Sequence, residues 1–212
     1  MNRLRLLSFA VLSSLLFVNS APPFPYTLEL KNTSRDIYKD TLRYRFRMAQ
    51  LYCESGFNPR STSEVKPWKR SGMDTVTAVK TGRAAAGIGQ FMLRTAEGYG
   101  VKTVNPAEAD SLGFAQDIYN PAWSIRANCQ YMIDLECIIY RGLESDERIK
   151  FRNSRKLREL YCCSAYNCGS YRVLRAIQSN GINWAQTKSL LPNESITYAE
   201  RVVMEKEKWF GK

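Results

Sequence analysis

The chain has 212 residues, of which 44% are hydrophobic and 24% charged, enough to bury one sizeable core and unlike the make-up of a disordered or fibrous protein. It contains no histidine, which excludes Ser-His-Asp and Cys-His nucleophilic sites and His-ligated zinc hydrolases, and leaves carboxylates to carry any catalysis. With 31 Lys and Arg against 20 Asp and Glu, the net charge is +11, which favours an anionic partner but does not choose among nucleic acid, a membrane surface and an acidic polymer.

Residues 1–20 read as an export signal: Arg3 and Arg5, the apolar run Leu6 to Val18, then small residues Ser20 and Ala21 before Pro22. The run is shorter than the roughly 20 residues a bilayer-spanning helix needs, so cleavage after Ser20 or Ala21 is expected, with a slow-release anchor as the alternative. Export permits the six cysteines to form disulfides, and some of the six are expected to pair. No pairing follows from spacing, and Cys129 and Cys137 stand about 12 Å apart along a predicted helix, too far to bond. The absence of a C-x-x-C pair argues against a zinc site, and no cofactor is expected.

Residues 21–39 read as a proline-led polar arm, followed by one domain over 40–212. Leu42, Phe46, Ala49 and Cys53 form a helical stripe that Asp40 or Thr41 could cap and Gly56 and Pro59 would stop. Residues 60–86 read as a long irregular loop holding Trp68. Asn105-Pro106 opens a short helix ending at Gly113, and Asn120-Pro121 opens a longer one ending near Gly142, with Asn as cap and Pro in the first turn. On the longer helix Ile125, Cys129, Met132, Ile133, Glu136 and Tyr140 form a stripe expected to pack into the core. Arg141 to Arg158 is a basic stretch expected to be a solvated loop and helix start, with no nucleic-acid motif beside it. Leu157 to Ala165 continues a buried helix that breaks at Asn167 to Gly169. Further helices run from Ser170 to about Asn180 and from Asn193 towards Trp209, the last placing Glu194, Tyr198, Val202 and Glu205 on one face. No alternating strand pattern appears, so the fold class is all-α.

Glu54 follows a buried stripe at the C-terminal end of a predicted helix. The negative helix end, and burial beside Phe57, would raise its pKa towards the roughly 6–7 that suits a general acid at neutral pH. Gly87-Ile88-Gly89-Gln90-Phe91-Met92 lets a ligand approach the backbone beside an amide. Ala165-Tyr166-Asn167-Cys168-Gly169 puts a phenol and an amide at a helix end, and Glu194-Ser195-Ile196-Thr197-Tyr198 adds a carboxylate and a phenol on one face. Such groups, without metal or histidine, suit sugar hydroxyls and N-acetyl groups.

Together and in this order, these segments resemble the catalytic domain of the SLT-type lytic transglycosylases, relatives of goose-type lysozyme. The carrying residues are Glu-Ser-Gly-Phe-Asn-Pro at 54–59, Gly-x-Gly-Gln-Phe-Met at 87–92, Ala-Tyr-Asn-Cys-Gly at 165–169 and Glu-Ser-x-x-Tyr at 194–198. Tyr119-Asn120-Pro121, with Ile125-Arg126-Ala127 and Tyr131-Met132, looks like the family's linking helix. The sequence departs from the pattern in its long 59–87 segment, where Ser63 or Ser71 would support the glutamate. It departs again at Gly89, where a methionine is common and less side chain would widen the groove, and at Ser195, where threonine is common.

The resemblance implies a lysozyme-like helical domain with a groove for the glycan strands of peptidoglycan. It implies cleavage of the MurNAc-GlcNAc β-1,4 bond with 1,6-anhydromuramoyl ends, by Glu54 acting first as acid and then as base. Ser55, Gln90, Met92, Tyr166, Asn167, Glu194 and Tyr198 would bind substrate: Tyr198 orients Glu54 or the glycan, Gln90 and Tyr166 hold sugars, and Glu194 and Asn167 shape the groove. A muramidase of the same fold and a non-catalytic wall-binding protein are the alternatives. Nucleic acid, a metal and a membrane span after signal cleavage are not expected, and the protein is expected in the periplasm, cell envelope or outside.

Overall fold

A computed structural model describes residues 24–38, 43–63, 72–101 and 117–211. Among these residues the chain forms ten α-helices and no strand. Isolated bridges join Ala86 to Thr62 and to Phe91. The helices are α1 (Thr27–Tyr38), α2 (Arg43–Ser55), α3 (Thr75–Lys80), α4 (Leu93–Gly98), α5 (Pro121–Gly142), α6 (Ser145–Asn153), α7 (Arg155–Cys168), α8 (Ser170–Asn180), α9 (Trp184–Thr187) and α10 (Asn193–Phe210). The expected all-α class is the observed one.

Helix ends follow local chemistry. Asn120 Oδ1 accepts the Trp123 N–H at 3.0 Å and Pro121 occupies the first turn, which starts α5 where expected. Ser154 Oγ accepts the Leu157 N–H at 3.3 Å to open α7. Gly169 then breaks the chain between α7 and α8 with φ of 90°, a conformation that disfavours any side chain.

α7 is the central strut, packed most extensively on α10 and also on α8, α5 and α6, while α10 lies along α2 as well. Their shared core contains Leu135 and Ile139 of α5, Leu160 and Tyr161 of α7, Ile177 of α8 and Val202 of α10. Each such aliphatic side chain contributes roughly 1.5–3 kcal/mol by leaving water. The fully buried Tyr161 keeps its hydroxyl satisfied by donating to Thr187 Oγ1 at 3.1 Å. A second cluster gathers Ala86, Phe91 and Ile118, and a third gathers Leu30, Met48, Leu51, Phe57, Ile88 and Ile125 under the C-terminal half of α2.

Four readings are corrected. The segment read as an arm forms α1, whose buried face is Leu30, Thr33 and Ser34, packed on α2 and α5. The segment read as irregular holds α3, capped by Asp74, whose Oδ1 accepts the Thr77 N–H at 3.0 Å. The basic stretch forms α6, with Phe151 inserted into the main core. On α5 the stripe drifts: Ile125, Cys129, Met132, Leu135 and Ile139 are buried, whereas Ile133 and Glu136 are half-buried and Tyr140 is exposed. The export signal, the Asp40 or Thr41 cap, Leu42, Trp68, Ser71 and the 105–113 helix lie outside the described residues. No helix among the described residues is long and apolar enough to cross a membrane.

All six cysteines are free thiols, so the expected pairing is not made. Burial pushes the Cys53 and Cys129 thiols up to about 11, and Cys162 and Cys163 higher still. The α10 ring Trp209 packs at a tilt against Phe24 at 4.4 Å and meets Tyr52 edge-on at 5.0 Å. Phe24 in turn meets Phe57 at 5.4 Å, so an aromatic clasp binds the start of the described chain to its final helix.

Candidate active site

Glu54 occupies the last turn of α2, which Gly56 and Phe57 end by both adopting positive φ, 60° and 64°. This reversal turns Phe57 into the third cluster, against Phe24 and Tyr52, and the expected shielding of Glu54 comes from other side chains. The groups coupled to its carboxylate are Tyr198 of α10, Tyr166 and Cys163 of α7, and its neighbour Cys53. Tyr198 donates its hydroxyl to Glu54 Oε1. Desolvation pushes the Glu54 pKa up to about 8, opposed by that hydrogen bond. The residue as a whole stays half-buried, so a carboxyl that keeps its proton at neutral pH is still within reach of a ligand.

The glutamine loop crosses beside it. Ser55 Oγ donates to Ile88 O at 2.8 Å, and Tyr166 Oη donates to Gly89 O at 2.5 Å. The Gly89 N–H donates to Ser124 Oγ at 3.1 Å. A Cβ on Gly89 would stand 2.8 Å from the Phe91 ring, so glycine there lets the backbone pass beneath Phe91. The expected widening of the groove is therefore replaced by a tighter loop. At Gly87, with φ of 79°, a Cβ would meet Ile118 O at 2.1 Å, which excludes every other residue without movement of the backbone. Gln90 adopts φ of 49° and folds its amide back, Nε2 donating to Gly87 O at 2.8 Å and Ser61 O at 3.1 Å. Both bonds use the amide nitrogen, which leaves its carbonyl oxygen for a ligand.

Ser195 Oγ donates to Asn167 Oδ1 at 2.5 Å, which ties the end of α7 to the first turn of α10. Ser195 itself is buried, whereas its neighbour Glu194 is exposed, as is Met92. Glu54, Tyr198 and Tyr166 are thus brought together, with Ser55 and the Gly89 backbone next to them. Asn167 braces the frame, and Glu194 makes no contact with Glu54. Ser63 Oγ accepts the Ala85 N–H at 2.8 Å and so braces the loop before Gly87. Ser124 and Asn128, which donates to Tyr166 Oη at 3.5 Å, carry no motif signal because they lie on the inner face of an ordinary capped helix. Among the described residues no group of three or more potential ligands could hold a metal ion.

A single desolvated carboxyl held by a phenol can protonate a leaving oxygen and take a proton back. The family model described as Transglycosylase SLT domain matches residues 34–188. The chain belongs to this family. The match takes in the Glu54, Gln90 and Tyr166 segments and stops short of Tyr198, which α10 nevertheless delivers to Glu54. A comparison with curated proteins gave no match. As an SLT domain the chain has the lysozyme-like helical fold, with the glutamate of the first motif at the centre of the constellation.

Proposed function

We propose that this SLT domain is an exported peptidoglycan lytic transglycosylase that cleaves the MurNAc-GlcNAc β-1,4 bond and leaves 1,6-anhydromuramoyl ends. The observation that carries the reading is Glu54, desolvated to a pKa of about 8 and paired with Tyr198. Such a group enters the reaction protonated and gives its proton to the bridging oxygen as the bond to the muramoyl C1 breaks. The oxocarbenium-like charge is met by the substrate's own acetamido group. Glu54, now a carboxylate, takes the proton of the C6 hydroxyl as that oxygen closes onto C1, so the proton count balances and no water is consumed.

Support for this outcome over hydrolysis comes from the surroundings of Glu54. An inverting hydrolase needs a second carboxylate roughly 6.5–9.5 Å away to activate water. Among the described residues Asp74 is engaged in capping α3, Glu97 is exposed, Glu159 is paired with Lys206 and Arg155, and Glu205 is paired with Lys208. Tyr198 holds the catalytic carboxyl, Tyr166 and the glutamine loop form the adjoining wall, and Ser55, Met92, Asn167 and Glu194 line or brace the groove. The positive net charge suits an anionic wall.

Digestion of purified sacculi in heavy-oxygen water, followed by mass spectrometry, tests the reaction. Unlabelled ends lighter by one water are expected. Labelled reducing ends would make the protein a muramidase with the same acid, and binding without any cleavage would make it a wall-binding protein.

A further inference from the structure

We propose that the groove between α5 and α6 docks an acidic amphipathic segment of a partner protein. The groove has a volume of about 930 Å³ and lies on the α2 side where Arg43 stands, roughly 16 Å along that helix from Glu54. Its floor is apolar, built from Ile133, Tyr140 and Phe151, two of which belong to the part of the α5 stripe that the core does not take up. Its rim carries the exposed Arg141 and Arg152, while Arg158 and Arg43 pair with Glu136, the one carboxylate among the described lining residues, at 3.4 and 3.0 Å.

The combination selects the occupant. Guanidinium forks match carboxylates in bidentate geometry, and the accessible Ile133 and Tyr140 side chains, beside the buried Phe151, accept apolar anchors. A chain that alternates acidic and apolar faces satisfies both. Concavity disfavours a bilayer, which would meet a convex or flat basic surface. The basic stretch from Arg141 to Arg158, which the catalytic reading leaves unused, supplies one wall of this surface. A partner seated here leaves the Glu54 face open, so the groove would hold a wall-cutting enzyme in an assembly without blocking it.

Cys137 lines the groove and is an exposed free thiol, which provides a local reporter. The probe is a synthetic helical peptide with glutamates on one face and leucines on the other. Its lysine counterpart and vesicles of phosphatidylglycerol serve as controls. With the full chain, the acidic peptide is expected to slow alkylation of Cys137 while leaving Cys168 unchanged, and to bind less tightly as salt rises. Arg141→Glu with Arg152→Glu, both at exposed positions, should weaken binding by about tenfold or more, with helix content and sacculus digestion unaltered. Unchanged Cys137 reactivity at saturating peptide, equal protection by the lysine peptide, or protection by the vesicles alone would each overturn the proposal.

Discussion

Tyr198 is the residue through which Glu54 is tuned. Its hydrogen bond lowers the pKa that desolvation raises, so Tyr198→Phe should lift Glu54 further above about 8. The basic limb of the pH-rate profile for sacculus digestion is then expected to move to higher pH, with activity down about tenfold from the lost positioning. A profile that does not move would remove Tyr198 from contact with the reacting carboxyl. Glu54→Gln should abolish digestion, by at least about 10²-fold, because one group serves both half-reactions. The same substitution should stabilise the fold. The folded carboxyl holds its proton up to about pH 8 while the unfolded chain releases it near 4.5, so stability falls as pH rises through that window. Glutamine has no proton to release, and a gain of roughly 1–3 kcal/mol at pH 7 is expected, fading towards pH 4. Chemical denaturation at both pH values checks it.

At the scale of elements, ion pairs tie α7 to α10 and α2 to α5. Glu159 of α7, whose side chain is 5% exposed, accepts from Lys206 of α10 at 2.5 Å and from Arg155 at 2.9 Å. Arg43 of α2 pairs with Glu136 of α5 at 3.0 Å. Glu159→Gln leaves the 13% exposed Lys206 side chain without its counter-ion and should cost about 3 kcal/mol or more, read as a fall in Tm, with kcat little changed. α5 and α7, with side-chain caps, and α8 and α10, with a continuous apolar face between Gly or Pro boundaries, were legible in the sequence. α1 was not, because Thr33 and Ser34 form much of its buried face and periodicity arguments count apolar residues. The drift on α5 was hidden for a different reason: Met132, Leu135 and Ile139 and the alternative Ile133 and Tyr140 are both helical rows, and only the neighbouring helices decide which row is covered. In the site, motif order revealed Glu54, Tyr166 and Tyr198, whereas Ser195 and Ser124 act through bonds between distant segments that no local pattern encodes.

At the scale of the whole molecule no disulfide adds to the packing and ion pairs that hold the fold, since the six thiols are unpaired. Thiol counting after denaturation without reductant should therefore find six reactive groups, while the folded protein reacts slowly at Cys162 and Cys163, which are buried. A reductant should leave Tm unchanged, whereas each disulfide, if present, would add about 2–4 kcal/mol that reduction removes.

The aromatic clasp of Phe24, Trp209, Tyr52 and Phe57 has a topological consequence. Because the first described residue rests on the final helix, the two ends of the folded body leave from one point, and the path through the helices is nearly a closed loop. Joining the ends through a short linker and reopening the chain at the exposed Gly82-Arg83 turn should give a circular permutant that folds and digests sacculi. By the same geometry, a tether attached at either end would present the Glu54 face to the wall in the same orientation.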